Sequence, residues 1–89
     1  MKTTNFNSEL NQLRAIYAKL ECKKNILHNQ IQVLEDKYYD ENTDKEEKRN
    51  LYYEIDEKVV TKNGVVDALN QIGNAIEHLG GGYVKAIFE

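Results

Sequence analysis

Two lysines stand where the pattern of this chain calls for apolar side chains. Leu10, Leu13, Tyr17, Leu20, Lys24, Leu27, Ile31, Leu34 and Tyr38 recur at alternating steps of three and four, and only Lys24 among them is charged. A repeat averaging 3.5 residues is the seam of a helix packed along another helix. A second stripe runs through Leu51, Ile55, Val59, Lys62, Val65, Val66, Leu69, Ile72, Ile76 and Leu79, and its one charged member is Lys62. Folding the chain back at Asn42 sets Lys24 opposite Lys62, while Leu34 meets Leu51, Ile31 meets Ile55, Leu27 meets Val59, Leu13 meets Ile72 and Leu10 meets Ile76.

Two facing ammonium groups repel, and neither can be buried unpaired without a large desolvation cost. Relief comes in one of three ways. The stems lie on apolar surface while the charges reach water. A carboxylate from a second subunit, Glu21 or Glu57, pairs with them and sets the register. A small anionic ligand such as a nucleotide or cyclic nucleotide is held by Lys24 and Lys62 with Lys23 and Lys58, and Tyr17 and Tyr52 offer stacking surfaces for it.

Tyrosine is the other residue type in excess, six in 89 residues, and Tyr38, Tyr39, Tyr52 and Tyr53 gather at the expected turn. They either close the end of a helical bundle or, with Tyr83 and Phe88 of the C-terminal tail, form a surface for a protein partner, because tyrosine brings large rigid area and a polar tip. His28 and His78 are far apart in the hairpin register and make no metal pair. Asp36, Asp40, Glu41 and Asp44 crowd the turn without the spacing or central glycine of a calcium loop, so a solvated acidic turn is expected and no metal or other cofactor. No Walker-type loop, His-Glu-x-x-His or nucleophile elbow occurs, and the glycines at 80–82 lack the lysine and helix of a phosphate cradle. No catalytic residue is assigned and the chain is read as a non-enzyme.

The elements that position these residues are two. Residues 1–7 read as a flexible N-terminus, with Asn7 or Ser8 able to cap a helix over 8–40. Thr43-Asp44-Lys45-Glu46 reads as a capping box that starts a second helix over 44–79. Asn63-Gly64, just after the β-branched Val59-Val60-Thr61, is its weak point; the stripe stays in phase across it, so one continuous helix is expected, with two shorter ones as the alternative. Gly80-Gly81-Gly82 ends the arm as a hinge before the apolar tail Tyr83-Val84-Lys85-Ala86-Ile87-Phe88-Glu89.

These arms predict an all-α, coiled-coil-like antiparallel hairpin in a single domain. Ile16, Ile26, Val33, Tyr39, Tyr53 and Val60 lie off the main stripe and widen the apolar face, which predicts a homo-oligomer, a dimer at the simplest, forming a four-helix or larger bundle. The size agrees, because so short a chain has a marginal core of its own.

A net charge of -3 and a pI near 5.4 disfavour duplex nucleic acid, and a single-stranded site would need a basic groove with aromatics. A mean hydropathy of -0.71, the lack of a membrane-length apolar run and a lone Cys22 lead to a cytoplasmic expectation. Lys, Asn, Glu and Tyr richness in a short chain is common among accessory proteins of phages and mobile elements. The function expected is that of a cytoplasmic interaction module, an adaptor, inhibitor or assembly factor, with capture of an anionic ligand at Lys24 and Lys62 as the alternative.

Overall fold

The computed structural model describes residues 6–80. The N-terminal residues 1–5 and residues 81–89, which carry the tail with Tyr83 and Phe88, lie outside the described residues. Helix α1 spans Asn7–Tyr38 and helix α2 spans Lys45–His78, and they pack against each other as an antiparallel hairpin. With 32 and 34 residues, the arms are about 50 Å long. No helix among the described residues is long and apolar enough to cross a membrane.

The helix ends differ from the sequence expectation in their chemistry. Phe6, not Asn7 or Ser8, occupies the N-cap position of α1, and no side chain caps it. Helix α1 stops at Tyr38, two residues early, because the N–H groups of Tyr39 and Asp40 turn back to the carbonyls of Glu35 and Lys37. The N-cap falls one residue later than expected. Asp44 is the N-cap of α2, and its carboxylate accepts the N–H of Glu47 at 2.8 Å. Thr43 instead donates its hydroxyl to the Lys37 carbonyl at 2.6 Å, and the Asp40 carboxylate accepts the Asn42 N–H at 2.8 Å. Those two bonds satisfy orphan backbone groups of the turn.

Helix α2 runs unbroken through Asn63 and Gly64. The β-branched run is tolerated there, and Thr61 returns its hydroxyl to the Glu57 carbonyl one turn back at 3.0 Å. The helix ends at His78 with Leu79 as its cap, and the chain turns off at Gly80, whose φ of 91° is open to glycine but strained for other residues and whose N–H closes on the Glu77 carbonyl at 3.0 Å.

The core is one seam. Leu10, Leu27, Ile31 and Leu34 of α1 are buried against Leu51, Val66, Leu69 and Ile76 of α2, with Leu69 and Val66 the most completely enclosed. On α2 the seam follows Leu51, Ile55, Lys58, Lys62, Val66, Leu69, Gly73 and Ile76, steps of four and three throughout. Val59, expected opposite Leu27, is turned to the flank and 36% exposed. Its place in the repeat is held by the half-buried Lys58. Gly73 is buried where the arms pack, a core position that the sequence pattern missed because glycine brings no apolar side chain to count.

Candidate functional site

A buried lysine at mid-seam is the site's centre. Lys62 is 7% exposed, and its Nζ lies 3.1 Å from Nδ1 of His28. A lysine ammonium has N–H donors only, so an ammonium at Lys62 takes Nδ1 as its acceptor. One turn toward the hairpin's closed end, Lys58 donates to Oε1 of Gln30 at 3.3 Å. Both seam lysines of α2 thus reach across to polar side chains of α1, and neither of these bonds involves a carboxylate.

Lys24 is half-buried on α1, but the lysine expected opposite it points elsewhere. The reason is the direction of helical side chains, which lean toward their own N-terminus. In an antiparallel pair the two arms lean oppositely. The stem of Lys62 slants toward the turn, the ring of His28 slants away from it, and the two meet although their positions in the chain are staggered by about a turn. A flat layer drawn straight across the hairpin misses this. A straight register sets His28 across from about residue 57, and the lean carries its ring to Lys62 instead.

Beside this pair a recess of about 220 Å³ is lined by His28, Gln32, Glu35, Lys62 and Asn63, with Ile31 and Val59 as its apolar walls. It offers amide donors, a ring N–H and an ammonium, and it also holds one carboxylate. Lys23 is exposed and lines a different recess, with Lys19, Cys22 and Ile26. Tyr17 is half-buried some eleven residues from His28 along α1, about 16 Å away, and Tyr52 is exposed on α2, seven residues past its start. One hairpin therefore does not gather the Lys24, Lys62, Lys23, Lys58 and Tyr17 set; it gathers Lys62 with His28 and Lys58 with Gln30.

Four tyrosines form two pairs of chain neighbours, one at the end of α1 and one in the third turn of α2. Tyr38 and Tyr39 stack edge to face with centroids 5.1 Å apart, as do Tyr52 and Tyr53 at 5.8 Å. The Lys48 ammonium lies 5.7 Å from the centre of the Tyr38 ring, a cation-π contact across the turn. Tyr38 is half-buried, whereas Tyr39 is 74% exposed and Tyr52 and Tyr53 are both mainly in water. Among the described residues no group of three or more His, Cys, Asp or Glu side chains is placed to hold a metal ion. No protein-family model matches the chain, and no curated protein or solved structure matches it either.

Proposed function

We propose that this chain is a non-enzymatic interaction module of the cytoplasm, an adaptor, inhibitor or assembly factor, that works as a self-associating helical hairpin and meets a protein partner at its turn. The observation that carries this reading is the placement of large apolar and aromatic side chains outside the single seam. Ile16, Ile26, Val33, Tyr39, Tyr52, Tyr53 and Val60 are all exposed on a scaffold only two helices thick. Apolar surface displayed in this way is what association removes from water. The two edge-to-face tyrosine pairs add rigid area at the acidic closed end, which suits a partner with basic character.

The test has two parts. Sedimentation velocity at tens of micromolar should give a mass above the 10.3 kDa of one chain; a single species at the chain mass removes self-association. Cross-linked pull-down with the intact chain and with a Tyr39→Ala/Tyr53→Ala variant should recover a protein that the variant loses while both have the same helical content. Equal recovery removes the turn surface.

The buried Lys62 favours a second reading, capture of a small anion in the recess beside His28. A buried ammonium whose cross-helix bond goes to a neutral ring still lacks an opposite charge. Glu35 in the same wall works against an anion, which places this reading second. Inorganic phosphate and a set of nucleotides should raise the melting temperature of the intact chain and not that of Lys62→Met; no shift in either removes it.

A further inference from the structure

We propose that a second copy of this chain packs on the outer face of α1 in antiparallel orientation, about a two-fold axis level with Lys24, an inference that rests on the self-association reading. The face is marked by Ala15, Cys22, Ile26 and Val33, all exposed, the last two 52% and 55% so. Their spacing of seven, four and seven residues keeps them on one side of the helix over about 27 Å. Shallow recesses lie along it, one beside Cys22 and Ile26 and another beside Val33.

The spacing is symmetric about residue 24, but the sizes are not: two small side chains stand on one side of that point and two large ones on the other. An antiparallel copy centred there sets Ile26 against the partner's Cys22 and Val33 against the partner's Ala15, large into small at every layer. Lys19 then faces the partner's Asn29, whose amide oxygen can accept from it. A parallel copy does the reverse, with large on large, small on small and Lys19 on its own equivalent.

Charge selects the same orientation. Residues 25–61, on the turn side of Lys24, carry ten acidic and five basic side chains, while the remaining described residues carry five basic and four acidic. Antiparallel packing lays the acidic end of each copy on the nearly balanced end of the other, and parallel packing stacks acidic on acidic. An interface that meets itself through a two-fold axis must be self-complementary, and this face is so only when reversed.

Disulfide trapping in a Cys22→Ser background tests it, since both added thiols sit at exposed positions. Ala15→Cys/Val33→Cys should run as a covalent dimer after mild oxidation, whereas each single substitution should stay monomeric on a non-reducing gel, its two thiols being about 27 Å apart in the pair. The two sites are equally far apart within one chain, so no intrachain bond competes. Efficient linking of either single variant would show parallel packing and overturn the proposal. No linking in any variant, with a dimer mass in sedimentation, would place the interface elsewhere and overturn it while self-association stands. A monomer mass throughout would end both.

Discussion

Lys62 is the residue on which the energetics of this hairpin turn. Burying a lysine side chain costs free energy unless its amine is well paired, and the partner here is one ring nitrogen of His28 rather than a carboxylate. A methionine at the same place keeps the stem and drops the charge. Lys62→Met is therefore expected to leave stability unchanged or raise it by up to about 2 kcal/mol, read from the urea midpoint at one protein concentration. His28→Leu should do the opposite and cost about 1–3 kcal/mol, because it strips the acceptor from a cation that stays buried. In the double variant that loss should vanish, since no charge is left to satisfy. If the two effects simply add, the Lys62–His28 bond is not what couples the arms here. A gain in stability from Lys62→Met would mark the lysine as serving register or a ligand rather than the core.

At the level of elements, the arms are held by ends and by pattern, and the two were unequally legible. The heptad from Leu10 to Tyr38 gave both the length of α1 and the side it buries, because a repeat of 3.5 has one structural meaning. Helix ends carry less information, as neighbouring Thr43 and Asp44 are both good caps and only the turn geometry chooses between them. Asp44→Ala should cost about 1 kcal/mol, whereas Thr43→Ala removes a turn bond rather than a cap and should cost less; the reverse order would restore Thr43 as the cap. Gly64 offers a gain. It is helical and exposed, and an added methyl group would meet nothing within 4 Å. Gly64→Ala should stabilise the hairpin by about 0.5–1 kcal/mol in thermal unfolding, and a loss would mean that the helix needs to bend there. The Lys62–His28 pair was hidden for a different reason: spacing places Cα atoms, while the contact is made by long side chains leaning along opposite arms.

For the molecule as a whole, two helices share one seam, so neither keeps its partner-free half of the core when the other leaves. Isolated helices of this length gain most of their stability from packing an apolar face, and here that face is a single row of buried side chains on each arm. Leu69→Ala, at the most enclosed position, should cost about 2–5 kcal/mol and lower the signal of both helices together. Such a fold has little to spare, and association would bury further apolar area. If the folded hairpin binds its own copy, unfolding is coupled to dissociation, and a hundredfold rise in concentration adds about 2.7 kcal/mol to the dimer's stability. The melting temperature should then climb measurably between one and one hundred micromolar. Ile26→Gln/Val33→Gln should flatten that dependence without reducing helical content at high concentration, because both side chains lie outside the seam. A melting temperature that ignores concentration in the unmodified chain would mean that one seam suffices, and the exposed row on α1 would then need another occupant.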